Sequence, residues 1–215
     1  MKKLCVLVFC HVMALSLYGV DFSVNPHVGV AVFNLSGKEV TAENENEIDV
    51  AATKSHVVMP APSVGLDMHI TNELNGLTFT IYNNVAISPA VFKKGGYGSQ
   101  TIHSVAGIWS IGLMPGWTYG IKKPFTFRIG GGFGFTMGGS AGLNGSQKYL
   151  FGGVAVPAMY VSFQYCFQEH WGIHCMIYEA PHLSMLELPQ SKVISHVTDG
   201  IGNTFVCTFG FTWRK

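Results

Sequence analysis

The sequence predicts an all-β protein: an eight-stranded antiparallel transmembrane β-barrel of the outer-membrane type. Three features lead to this prediction, namely few charges, alternating apolar and small residues, and connections that alternate between long and short. Only 12% of the 215 residues are charged, against roughly 25% in an average soluble domain. So few charges cannot cover a water-exposed surface, and we therefore expect the apolar residues to face lipid.

The first residues have the pattern of a secretory signal peptide. Two lysines are followed by an apolar run from Leu4 to Leu17, and Gly19 provides a small residue for cleavage. The run is shorter than the roughly 20 residues that a transmembrane helix needs. We expect residues 1–19 to be removed and residues 20–215 to form one outer-membrane β-barrel domain.

Eight segments of the remaining chain alternate with a period of two, as strands do when successive side chains point to opposite faces. The fifth segment is the clearest, with Phe125, Phe127, Ile129, Phe133, Phe135 and Met137 against Thr126, Arg128, Gly130, Gly132, Gly134 and Thr136. Most segments reach the 9–11 residues that a tilted strand needs to cross a bilayer. The bulky face suits lipid, and the small face suits a narrow lumen. The seventh segment, about residues 171–180, leaves its facing open.

The connections between these segments alternate in length. Long polar connections are predicted at 35–56, 89–99, 138–149 and 181–200, and short ones at 71–76, 120–124 and 168–170. Outer-membrane barrels have long extracellular loops and short periplasmic turns. The pattern therefore places both termini on the periplasmic side, and the protein in the cell outer membrane with lipid as its partner.

A soluble β-sandwich or lipocalin-like barrel is the alternative architecture. Both classes fill the inside with large apolar residues and keep the outside polar, whereas the small face here is too small to make such a core. The net charge is +1, so no basic field indicates binding to nucleic acid.

The closing segment carries a resemblance to a known group. Phe205, Cys207, Phe209, Phe211 and Trp213 alternate up to the chain end, where Arg214 and Lys215 follow. With the eight segments and the loop alternation, this pattern resembles the small eight-stranded outer-membrane proteins of the OmpW, OmpX and opacity-protein type. The resemblance implies a last strand that is read by the assembly machinery. Members of the group include passive channels for small apolar compounds, surface adhesins and a few lipid-modifying enzymes.

The strand phases place a cluster of polar side chains in the lumen near the periplasmic end. Its predicted members are His27, Asp67, His69, Arg128 and Gln164. We expect Asp67 and Arg128 to form an ion pair across the narrow barrel, or to share a polar network, near its periplasmic mouth. The spacing of His27 and His69 is not of a metal-ligand type, so we predict no metal site and no cofactor.

Above this cluster the phases predict an apolar chamber that opens to the outside. Its predicted ligand-binding residues are Met59, Ala106, Ile108 and Val156. An apolar pocket with a closed polar floor would suit a small hydrophobic solute. Eight strands leave no water-filled pore of porin width.

Three functions remain open from the sequence. The first is a narrow channel or binding pocket for small apolar solutes, without catalytic residues. The second is a surface interaction protein that uses its long loops. The third is a lipid-modifying enzyme, for which His182 and Ser184 with Glu179 or Glu187 would supply an acyl-transfer triad.

Overall fold

The structure, a computed structural model, describes residues 19–41, 49–94, 100–142, 148–189 and 195–215. Eight strands follow one another in these residues: β1 (Val20–Thr41), β2 (Asp49–Asn72), β3 (Leu77–Lys94), β4 (Gln100–Tyr119), β5 (Phe125–Gly142), β6 (Lys148–Cys166), β7 (Trp171–Pro189) and β8 (Ser195–Arg214). Each strand pairs antiparallel with the next, and β8 pairs with β1 to close the barrel. Within the described ranges, no helix has the length and apolar character to cross a membrane. The predicted signal peptide lies outside the described residues except for Gly19.

The outer surface of the barrel is apolar, and its inner surface is largely polar. Large outward side chains are well exposed, such as Val28 at 63% and Phe211 at 65%, whereas Asn25, Asp67 and Thr80 are fully buried. An aromatic belt surrounds the end with the short turns and the termini: Trp117, Tyr119, Phe125, Tyr165, Phe167, Trp171 and Phe211. Such girdles mark a membrane interface. The protein is therefore an outer-membrane β-barrel, and the short turns at this end predict that it lies on the periplasmic side.

The strands are much longer than a membrane crossing requires. They contain 18 to 24 residues, so even the shortest spans roughly 45 Å along the barrel axis at a tilt near 40°. The long connections predicted from the sequence were too long, because strand pairing continues to Thr41 and Pro189 and resumes at Asp49 and Ser195. The barrel wall thus extends beyond the outer interface.

Two β-bulges reverse the predicted facing of the outer ends of β2 and β6. The strand registers shift between Val58 and Ser63 and between Ala155 and Met159. An extra residue in one strand moves the following side chains to the other face. Met59 and Val156 therefore lie on the outer surface, 52% and 47% exposed, and their predicted place in the chamber was wrong.

The glycines of β5 provide room for aromatic rings from the neighbouring strands β6 and β7. A Cβ atom at Gly130 would lie 2.5 Å from the ring of Tyr160, and one at Gly138 would lie 2.5 Å from the ring of Phe151. At Gly134 it would lie 2.5 Å from the Tyr178 hydroxyl and 2.8 Å from a further methyl group. Real Cβ contacts are not this short. Only glycine, which has no side chain, therefore leaves room on β5 for these large inward rings.

We expect Gly134→Val to destabilise the barrel by about 1–3 kcal/mol, the usual range for overpacking. Valine is itself favourable in strands, so a loss would reflect the clash. Gly107→Val is the matched control, since nothing lies within 4 Å of a Cβ atom there. Urea unfolding in lipid vesicles, followed by tryptophan fluorescence, measures both. Equal stability of the two variants would contradict this packing.

Cysteine labelling tests the orientation, in a background with Cys166, Cys175 and Cys207 changed to alanine. A cysteine at Asn75, in the turn between β2 and β3, should react with an impermeant maleimide only after the outer membrane is permeabilised. A cysteine at Glu45, which lies between β1 and β2 but outside the described residues, should react in intact cells. The reverse labelling pattern would show that the barrel has the opposite orientation in the membrane.

Candidate functional site

All five predicted polar residues lie inside the barrel. His27, Asp67, His69, Arg128 and Gln164 are each no more than 3% exposed. They come from β1, β2, β5 and β6, and strand closure brings them into the periplasmic half of the lumen. The period-two alternation alone was therefore sufficient to predict that these side chains point inward.

The direct ion pair that the sequence suggested between Asp67 and Arg128 does not form. Among the described residues, no ion pair within 4.0 Å joins them. The Arg128 guanidinium donates instead to Gln164 Oε1 at 2.6 Å. The Asp67 carboxylate faces two histidines, with His27 Nδ1 at 3.4 Å and His174 Nε2 at 3.6 Å from Oδ2. Arginine pairs with the nearer strand neighbour because Gln164 extends from β6, adjacent to β5.

A layer of large side chains closes the middle of the lumen. Tyr82 and Tyr178 stack with ring centroids 4.2 Å apart, and Met114 and Met176 are buried in the same core. Tyr82 also stacks with His27 at 6.0 Å. An eight-stranded barrel is just wide enough for side chains to fill it, so we infer that these packed side chains close the lumen.

Among the side chains that the structure describes, the outer half of the lumen is largely apolar and is occupied by packed rings. Ala106 and Ile108 face inward, with 0% and 4% exposure. The rings of Phe33 and Phe151 stack there, 4.7 Å apart and 12° from parallel. The Phe151 ring lies over Gly138, the strand partner of Ile108. The space predicted to be open is therefore filled by an aromatic pair.

Hydroxyl groups form a connected chain within this outer half. Ser110 bonds to Thr136 at 3.3 Å, Thr136 to Thr204 at 3.1 Å, and Thr204 to His182 Nε2 at 2.9 Å. His182 thus belongs to the lumen, whereas Glu179 lies on the outer face and bonds to Asn203. A triad through Glu179 is excluded by this opposite facing, and the side chains of Ser184 and Glu187 lie outside the described part.

A cavity of about 640 Å³ opens at the periplasmic end. Its lining includes Asp21, Lys123 and Arg214. The Arg214 guanidinium donates to Asp21 Oδ1 at 2.8 Å and to the Lys123 carbonyl at 3.1 Å. This ion pair ties the last strand to the first at the mouth of the barrel.

Sequence reasoning missed several inward residues, among them Phe33, Phe151, His174 and Tyr178. His174 and Tyr178 lie on β7, whose facing the sequence left open. One available signal was Gly172, since the inward residues of β7 are Gly172, His174, Met176, Tyr178, Ala180 and His182. The small residue at the start of β7 would have indicated which residues of this strand face the lumen.

Comparison with known proteins gives one family. A family model described as "Domain of unknown function (DUF2715)" matches residues 14–214. The chain belongs to this family. No curated protein sequence matches this chain.

Solved structures similar to this DUF2715 chain are small outer-membrane barrels. The outer membrane protein OprG from Pseudomonas aeruginosa matches with a TM-score of 0.58 and 12% identity, over 92% of this chain and 97% of that one. Outer membrane protein AlkL gives 0.49 and 11%, over 92% and 91%. Neisserial surface protein A gives 0.48 and 10%, over 91% and 98%. The match to OprG confirms the predicted fold.

In a DUF2715 barrel whose middle layer is already opened by Tyr178→Ala, removal of the Arg128 side chain should increase ion leak further. Arg128 is the largest fully buried side chain in the lumen, and Arg128→Ala would open a polar layer that water can enter. Ion flux into proteoliposomes measures the leak. Lys122→Ala is the control, because it removes the same charge from an exposed pair with Glu73. A leak that matches the control would show that Arg128 does not help to close the lumen.

Proposed function

We propose that this barrel binds a small apolar solute in the outer half of its lumen, as a closed binding barrel and not as an open pore. The apolar lining of that half carries the proposal, because the interiors of outer-membrane barrels are ordinarily polar. The buried lining residues are Ala31, Val58, Ala61, Ala86, Ala90, Ala106, Ile108, Ala155, Ala180 and Val206. Ligand pockets combine such surfaces with a few placed polar groups, which the hydroxyl chain ending at His182 supplies.

The Phe33–Phe151 pair is the part of this lining that a solute would displace. The two strands that carry the rings, β1 and β6, are three strands apart around the wall. Stacking adds only about 0.5–1.5 kcal/mol beyond the area that the rings bury. An apolar solute that contacts both rings could replace this interaction without leaving a buried polar group unpaired.

The floor of the proposed pocket is the layer of Tyr82, Tyr178, Met114 and Met176. All four side chains are buried, and the layer separates the apolar half from the polar half below it. A solute would therefore enter and leave on the outer side, or pass further only when this layer moves. This property distinguishes the proposal from a water-filled channel.

Photolabelling tests the proposal directly. A decanol that carries a diazirine should label inward residues of the outer half, such as Phe151, in the barrel reconstituted in phosphatidylcholine vesicles. Excess decanol should compete with this labelling, whereas outward residues such as Phe133 should be labelled in proportion to the probe dissolved in lipid. Mass spectrometry identifies the labelled residues.

Filling the pocket should abolish the competed labelling. Ala106→Trp places a large ring beside Ile108, and Val105→Trp is the control because Val105 faces lipid with 47% exposure. Lumen labelling should be lost in the first variant and kept in the second. Folding of each is checked by its heat-dependent mobility in detergent gels.

Phe33→Ala should increase lumen labelling severalfold, because it removes one half of the displaceable pair. If no lumen labelling is detected in either the unaltered barrel or Phe33→Ala, the proposal is contradicted. Surface interaction through the segments between strands would then be the better-supported function.

A further inference from the structure

Three side chains with metal-ligating atoms meet in the inner half of the lumen. Asp67 and His69 lie two residues apart on β2 and share its inward face, and His174 reaches them from β7. One ligand atom from each lies within 4.8 Å of the others. We call this group the carboxylate–histidine cluster. Its strands are three apart around the wall, separated by β1 and β8.

Several ligand atoms of this cluster are buried and without a hydrogen-bond partner. The three side chains are at most 1% exposed. Asp67 Oδ1, His69 Nε2 and His174 Nδ1 have no hydrogen bond, and the contacts of Asp67 Oδ2 are the ones to His27 and His174. A buried polar group without a partner costs about 1–3 kcal/mol, so several at one point indicate a ligand that satisfies them together.

The surrounding groups orient His69 for coordination. The Thr80 hydroxyl donates to the Tyr160 oxygen at 2.7 Å, which leaves the Thr80 oxygen to accept from His69 Nδ1–H at 2.8 Å. With the proton on Nδ1, the Nε2 lone pair is free and points into the cluster. Histidine ligands of metals typically have their second nitrogen fixed by such a partner.

We propose that Asp67, His69 and His174 form a binding site for a divalent transition-metal ion, with Zn²⁺ as the best fit. Two imidazoles and one carboxylate are a common donor set for this ion, which leaves a fourth position open. Tetrahedral bonds of 2.0–2.2 Å separate ligand atoms by roughly 3.4 Å, so the cluster needs only small side-chain rotations to close. His27, 3.4 Å from Asp67 Oδ2, would orient the carboxylate.

The bound ion would tie β2 to β7 across the lumen. The site belongs to the polar half, below the tyrosine layer, and is independent of the apolar solute proposed above that layer. The positive charge of Arg128 disfavours binding of a cation here, because it acts electrostatically on all three members of the cluster. Removal of that charge should therefore tighten metal binding.

Titration with Co²⁺ and Zn²⁺ tests the site, with the folded mature barrel in detergent. Cys166, Cys175 and Cys207 are changed to alanine so that thiols cannot bind the ion. We expect one Co²⁺ per barrel, with the visible absorption of a nitrogen- and oxygen-ligated ion, displaced by Zn²⁺. Zn²⁺ should also raise the melting temperature of the barrel.

His174→Ala should weaken binding at least about tenfold, and Zn²⁺ should no longer raise its melting temperature. The matched control is His182→Ala, which removes a buried histidine from the same strand in the outer half and should bind like the unaltered barrel. Thr80→Val should also weaken binding, and Thr80→Ser should restore it. Arg128→Gln should strengthen it.

Two results would overturn the site. The first is an unaltered barrel that binds no ion at micromolar to millimolar Co²⁺ or Zn²⁺. The second is equal binding by His174→Ala and His182→Ala, which would place the ion elsewhere. If His174→Ala fails to fold, Thr80→Val and Arg128→Gln decide the question, since binding unchanged by both would equally overturn it.

Discussion

Backbone hydrogen bonding in lipid is the constraint on which the rest of this structure depends. The hydrocarbon core offers no partners for backbone amides and carbonyls, so strands can cross it only in a closed barrel. Here β8 closes on β1 over most of their length, from Ser23–Arg214 to Thr41–Ser195. Closure with eight strands fixes a lumen that is only one or two side chains wide. Every inward residue must therefore fit against those of the opposite wall.

This narrow lumen accounts for the two halves of the interior. Glycines on β5 accept rings from β6 and β7, and the stacked Tyr82 and Tyr178 then close the middle. Below this layer, polar groups face one another across the narrow lumen, which brings a carboxylate and histidines from distant strands together. Above it, alanines leave room that Phe33 and Phe151 fill. The proposed solute pocket and the proposed metal site follow from the same closure.

Much of the fold could be predicted from the sequence because alternation with a period of two reports directly on facing. The inward positions of Asp67, Arg128 and Ala106 follow from it. It fails at Met59 and Val156, where a bulge adds one residue. Each of these residues is followed by a proline, Pro60 and Pro157, and proline within a sheet is largely confined to edges and bulges. The prolines were the available signal for both errors.

Contacts across the lumen could not be predicted in the same way. They depend on the stagger between strands, which no local pattern encodes. His174 joins Asp67 from three strands away, and Arg128 selects Gln164 over Asp67 because β5 and β6 are adjacent. The stacking of Phe33 with Phe151 likewise requires the closed barrel, since the two rings are more than a hundred residues apart in the chain.

The central claim is that a layer of packed side chains closes the lumen, and the conductance of the unaltered barrel in a planar lipid bilayer tests it most directly. Tyr82, Tyr178, Met114 and Met176 are buried in the lumen, and we infer that their packing blocks a continuous water path. We therefore predict no steady ohmic conductance above that of the protein-free bilayer. A stable ion-conducting pore formed by the folded, inserted protein would contradict the account.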